Sequence, residues 1–189
     1  MTKARTLADF NATGVLTSAS TLNPANLDST GTIPSALLAG IGGGGKVLNV
    51  VAANSGTTTT TSSSSYTATS LAVTIQPSAV SSKVLLTLDL NGIMTAAQNT
   101  GVGFALYKTE SGNTSVVVND ILKYAGYMGS SISGVNDVQN SAGFSHLHVS
   151  NSTNSITYKV YMKKTTGSGN VKVSANGQES SLIAMEIAA

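Results

Sequence analysis

Leu71-Ala72-Val73-Thr74-Ile75-Gln76 and Lys83-Val84-Leu85-Leu86-Thr87-Leu88-Asp89-Leu90 decide the fold class. In the first stretch Leu71, Val73 and Ile75 fall on one side of an extended chain, and Ala72, Thr74 and Gln76 on the other. In the second, Val84, Leu86, Leu88 and Leu90 alternate with Lys83, Leu85, Thr87 and Asp89. A period of two is the signature of a half-buried strand, since successive side chains of an extended backbone point to opposite faces. Working outward, residues 46–53, 66–75, 83–93, 102–109, 114–118, 142–149, 156–164, 171–175 and 182–187 all read as strands. Gly, Asn and Ser fill the gaps between them. Strands about 8–12 residues apart predict a β-sandwich of jelly-roll type. The clearest hairpin joins Tyr158–Lys164 to Val171–Ala175 through Thr165-Thr166-Gly167-Ser168-Gly169-Asn170. Residues 57–65 are nine consecutive hydroxyl or aromatic-free positions of Thr and Ser, read as an exposed edge strand or a long loop. No helix longer than a turn or two is needed.

Composition points the same way. The chain has 189 residues, of which 41% are hydrophobic and only 10% charged. Ser and Thr number 27 and 24 and Gly 19, a mixture that disfavours helix and suits strands and turns. Cys is absent, which excludes a disulfide framework, a thiolate metal site and a cysteine nucleophile. A net charge of +2 with a single arginine, Arg5, is too weak for a nucleic-acid surface. The N-terminus has no apolar core of a signal peptide, and no run of apolar residues is long enough to span a membrane.

The chain divides near Gly45. Residues 1–45 hold Pro24, Pro34 and few large apolar side chains, too few to offset their own ordering entropy. They read as an extended arm closed by the Gly42–Gly45 hinge, and residues 46–189 as the β-sandwich. Most of its strands carry a thin apolar face, so burial is expected to be completed by identical neighbours in a homotrimer.

Three local patterns bear on chemistry. Gly40-Ile41-Gly42-Gly43-Gly44-Gly45-Lys46 matches the start of a phosphate-binding loop, but Val47 stands where a hydroxyl should ligate magnesium. A strand rather than a helix is expected to follow. His146 and His148 alternate onto one face of a strand with Phe144, opposite Leu147 and Val149. One chain gives two nitrogens, and three chains around an axis would give six, a set suited to a transition metal. Lys159, Tyr161 and Lys163 share the outer face of one strand, with Lys172 expected beside them on its hairpin partner. Such a cationic, aromatic stripe suits acidic sugars or phosphates of a host surface polysaccharide, and also suits a plain solvated face. Tyr107, Tyr124 and Tyr127 are further candidates to line a shallow sugar site. No histidine has a carboxylate placed behind it for nucleophilic catalysis, and the eight acids are scattered. No enzymatic activity is expected.

The opening Thr2-Lys3-Ala4-Arg5-Thr6-Leu7-Ala8-Asp9-Phe10 and the linker Asn26-Leu27-Asp28-Ser29-Thr30-Gly31-Thr32-Ile33-Pro34 resemble segments of tail-fibre-like and virion structural proteins of tailed phages. The resemblance is particularly to those of marine and cyanobacterial phages. Lys46-Val47-Leu48-Asn49-Val50-Val51, Leu71–Ser78, Ser82–Leu86 and Met185-Glu186-Ile187 are similar to a C-terminal β-domain of the same group. The resemblance implies a virion protein that is not an enzyme, with Lys3, Arg5, Leu7 and Phe10 in an arm attached to other virion proteins of tail or capsid. It also implies iron-type ligation at positions matched by His146 and His148.

Overall fold

A computed structural model describes residues 46–97, 99–118, 126–127 and 138–189. The arm with Lys3, Arg5, Leu7 and Phe10, the four glycines before Lys46, and Tyr124 lie outside these residues. Among the described residues there are eleven strands: β1 (Val47–Ser55), β2 (Thr59–Thr61), β3 (Thr67–Ile75), β4 (Lys83–Thr95), β5 (Gly101–Glu110), β6 (Asn113–Val118), β7 (Gly126–Tyr127), β8 (Val138–Val149), β9 (Ile156–Thr166), β10 (Val171–Val173) and β11 (Ser180–Ile187). One 3-10 turn, Ala175–Gly177, separates the last two.

In the first sheet β4 is central. β8 lines one of its edges, while β11 and then β10 line the other; β1 and β2 pair with β11 and β10 respectively. In the second sheet the order is β3-β9-β5, with β6 and β7 sharing the far edge of β5. Thus β1/β2, β6/β7 and β10/β11 are each one interrupted strand, which leaves eight strand positions in chain order. Position one pairs with eight, two with seven, three with six and four with five. The first half of the chain runs back along the second as one long hairpin, rolled into two antiparallel sheets. That is a jelly roll.

The inward residues form one continuous core. It includes Leu71, Val73 and Ile75 of β3, Val84, Leu86, Leu88 and Leu90 of β4, and Tyr158, Val160 and Met162 of β9. These are the faces that alternation assigns to the interior. Each strand contributes little, yet eight positions together close a core without help from a neighbour.

Two irregularities shape the first sheet. Gly92 takes a positive φ of 60°, and the pairing of β4 with β8 shifts between Leu90 and Ile93. Beyond that bulge β4 leaves β11 and takes up β10, and the gap is stitched by Ser174 N–H donating to the Asn91 carbonyl and Asn91 N–H donating to Ser180 Oγ. At the opposite end the Glu186 carboxylate, 2% exposed, faces inward. Its Oε1 accepts from Ser78 N–H, Ser78 Oγ and Ser82 Oγ at 2.6–2.7 Å, which fastens the β3–β4 connection to the last strand. Burial alone would raise this carboxyl, but those donors outweigh it and hold it below the ordinary range.

The hairpin expected between residues 158–164 and 171–175 does not form. β9 is already paired on both edges, with β3 and β5, so no edge remains for β10. The chain crosses to the other sheet instead. Gly167 turns it at φ 81°, and Gly169 packs so tightly on Ala97 that a side chain there would meet its backbone nitrogen at 2.8 Å. The hydroxyl run yields the short edge strand β2, paired with β10.

Candidate functional site

The two outward faces of the sandwich differ in chemistry. On the first sheet, cross-strand register aligns Val50 of β1 with Met185 of β11, Met185 with Leu85 of β4, and Leu85 with Leu147 of β8. All four stand on the face away from the core, so one apolar row crosses the whole sheet. The next row adds Val47, Ile187 and Val149, interrupted by Lys83. Val50 is 54% and Leu147 48% exposed. Outward faces of sandwich strands ordinarily carry polar residues, so a row of this extent is a departure from the usual pattern.

The outward face of the second sheet is aromatic, hydroxylated and cationic. Tyr107 on β5 and Tyr161 on β9 lie with ring centroids 4.2 Å apart, and Tyr66, just before β3, meets Tyr107 edge-on at 6.0 Å. Lys163 Nζ sits 4.3 Å from the centre of the Tyr66 ring, and Lys159 is the register partner of Tyr107. Beyond the rings, Thr74 bonds Thr157 and Thr109 bonds Thr114 across strands, each at 2.8 Å. Among the described residues no Asp or Glu occupies an outward position of β3, β9, β5 or β6; Glu110 pairs with buried Ile156 and faces inward.

His146 and His148 do share one face of β8 with Phe144, as alternation requires, and that face is the inner one. Leu147 and Val149 point outward. The His146 ring stacks near Phe144 at 6.3 Å, and His148 Nδ1 forms a 2.8 Å hydrogen bond with Tyr158 Oη. Lys108 and Glu110 of β5 form an ion pair at 3.4 Å nearby. Burial, followed by the positive charges of Lys108 and His146, pushes His148 down to about 4 against the opposing pull of Glu110. Burial likewise keeps the Tyr158 phenol protonated well above its usual range. Hydrogen bonds from Ser152 first, then Asn154 and Lys108, lower Glu110. Among the described residues no group of three or more His, Cys, Asp or Glu gathers to hold a metal ion.

Three of the four stripe residues, Lys159, Tyr161 and Lys163, lie together on the second sheet. Lys172 does not join them: it sits on β10 in the other sheet, opposite Thr60 and Met94, because the hairpin that would have brought it there is absent. Tyr107 belongs to the platform; Tyr124 and the side chain of Tyr127 are outside the described residues. The run after Lys46 is strand β1, so the glycine loop does not open a helix. Tyr66 and the apolar row were not singled out in the sequence. Tyr66 precedes its strand and carries no alternation signal, and the row depends on which residues face one another across four strands.

A scan against protein-family models and a search of curated proteins return no match. Among solved structures, the VP2 subviral particle of infectious bursal disease virus is similar at 14% identity, over 74% of this chain and 38% of that chain, with a TM-score of 0.39. T=1 particles derived from the same virus are similar at 15% identity, over 75% of this chain and 36% of that chain, also at 0.39. This chain therefore spans less than two fifths of the length of either neighbour. Superposition at that level is loose, and the jelly-roll assignment rests on the strand order.

Proposed function

We propose that this chain is a non-enzymatic structural protein of a tailed-phage virion, a tail-fibre-like homotrimer. Its arm, residues 1–45, attaches it to other virion proteins, and its jelly roll is exposed for contact with the host surface. The observation that carries this reading is the apolar row Val50–Met185–Leu85–Leu147 across the outer face of the first sheet. A chain with only 10% charged residues that also leaves such a row uncovered is built to pack against protein. The jelly roll is an architecture that viral capsid proteins share with lectins, which supports a role in assembly or surface recognition. Light scattering at micromolar concentration tests the assembly: about three times the 19.0 kDa of one chain is expected, and a stable folded monomer overturns it. Copy number per particle tests the placement. A few trimers at one vertex support the tail, whereas hundreds over the shell make the protein a capsid decoration or head-fibre protein instead.

A further inference from the structure

We propose that three copies of this chain set their first sheets as the three sides of a triangular prism, with the apolar rows turned to the common axis and β1 of each copy beside β8 of the next. The inference rests on the trimer reading above and deepens it by naming the surface each copy gives and the one that receives it. The row Val50–Met185–Leu85–Leu147 has Ala52, Ile183, Thr87 and Ser145 in register beside it on the same face. Lys83 and Asp89 flank these two rows, one beyond each, so charge is kept to the ends of an uncharged centre. Lys83 stands where all four strands begin or end, at the open end of the prism, and its long stem lets the ammonium reach water there.

The two edges of this sheet fit each other. Among the described residues, β1 and β8 each have one edge without a strand partner. Neither strand carries Lys, Arg, Asp, Glu or Pro, the residues by which exposed edges ordinarily turn a neighbour away. Three antiparallel ladders separate β1 from β8, so the two run in opposite directions. Rotation about an axis along the strands preserves direction, which sets β8 of one copy antiparallel to β1 of the next. A head-to-tail contact of this kind is satisfied at every copy only when it closes into a ring.

The dimensions close at three. Four strand positions at about 4.8 Å make a side roughly 19 Å wide. In an equilateral triangle of that side the axis lies about 5.5 Å from each sheet, close to half of the ~10 Å that packed sheets keep. A square would put the axis about 10 Å away and leave a void that Val, Leu and Met side chains cannot fill. Two sheets face to face would bury the row but leave the β1 and β8 edges uncovered. Over the eight residues of β11 each side is about 27 Å long, so three sides bury roughly 1,500 Å² of flat face, above the ~1,000 Å² of a specific contact.

The test is cross-linking of the full chain, which contains no cysteine of its own. Ala52 and Ser145 are small, exposed and at opposite ends of one row. Within a chain they stand three strand spacings, about 14 Å, apart, beyond the reach of a disulfide, whereas in the prism Ser145 of each copy meets Ala52 of the next. The double variant Ala52→Cys, Ser145→Cys is oxidised at micromolar concentration, or treated with a short bismaleimide, and its mass is read without reductant. Covalent trimers of about three times 19.0 kDa are expected, no linkage in either single variant, and none when Leu147→Glu is added to the pair. Light scattering checks each variant first, and Asn54→Cys with Gly143→Cys, the next row on, takes over if the first pair disturbs folding. Linkage of a single variant to itself, or exhaustive linkage that stops at dimers, overturns the prism. A trimer that neither reagent links at either row sinks this arrangement alone. A stable folded monomer sinks the trimer reading, and the prism with it.

Discussion

His148 on the edge strand β8 and Tyr158 on the central strand β9 share a 2.8 Å hydrogen bond that ties one sheet of the jelly roll to the other. Tyr158 is fully buried, and His148 sits half-buried beside Lys108, Glu110 and His146. The imidazole is neutral in the folded chain at pH 7, since its pKa is about 4 against 6.5 when unfolded. Between those values the unfolded chain binds a proton that the folded chain does not, so stability is full above pH 6.5 and falls as pH drops through 4. The shift would correspond to about 3 kcal/mol, and solvent access to the ring reduces the expected loss to about 1–2 kcal/mol. Urea unfolding at pH 7, 6 and 5 measures it, in a window where the carboxylates stay ionised. His148→Gln should flatten the slope; an unchanged slope would show that another group titrates there.

Glu186 adds acid sensitivity of the same sign at lower pH. Its carboxyl is lowered by Ser78 and Ser82 donors that overcome burial, so its contribution is complete above the unfolded value of 4.5 and disappears as pH falls below it. Removing the acceptor leaves the buried Ser82 hydroxyl and the part-buried Ser78 N–H and hydroxyl without it. Glu186→Ala should cost about 3–4 kcal/mol, and Glu186→Gln, which keeps a carbonyl, about 1–2 kcal/mol. Thermal melts at pH 7 and pH 3.5 check both. A loss in the alanine variant below about 1 kcal/mol would mean that the loop reorganises around the gap.

Two glycines with positive φ should respond differently to alanine. At Gly92 a Cβ would stand 2.5 Å from the Ala175 backbone nitrogen and 2.7 Å from its carbonyl oxygen, neither of which can move without breaking the β10–β11 junction. At Gly112, in the two-residue β5–β6 turn with Ser111, no atom comes within 4 Å. Gly112→Ala should therefore cost only the left-handed penalty of about 1–2 kcal/mol. Gly92→Ala should cost more than about 3 kcal/mol, since overpacking adds to the same penalty. Similar losses at both sites would show that the bulge is pliable.

The parts of this fold legible in sequence are those set by local periodicity. Leu71, Val73 and Ile75, or Val84, Leu86 and Leu88, declare their buried face because alternation and burial are the same fact seen twice. The pairing of His146 with His148 on one side of β8 followed from the same rule. Which strand each one joins is a non-local choice, made by the edges that other strands leave open. Lys172 went to the wrong neighbour for that reason: its loop is short and glycine-rich, like a hairpin's, and only the prior occupation of both β9 edges redirects it. Leu85 could be placed outward from sequence, but its alignment with Val50, Met185 and Leu147 exists only in the register of four strands.

That alignment yields the last prediction. Val50 and Leu147 lie at opposite ends of the row, three strand spacings or about 14 Å apart, so a partner covering the face must cover both. A glutamate at either end would be buried without a partner in the assembly yet remain solvated in a single chain, as both positions are now about half exposed. Val50→Glu and Leu147→Glu should thus leave the melting of the isolated jelly roll within about 0.5 kcal/mol of the parent while shifting the micromolar mass from three chains to one. Val80→Glu is the control, because Val80 is more exposed, at 58%, but lies in the β3–β4 connection and on none of the four strands of the row. Light scattering separates the outcomes. Dissociation in the two row variants but not in Val80→Glu places the interface on this sheet; a trimer that survives both substitutions is held by some other surface.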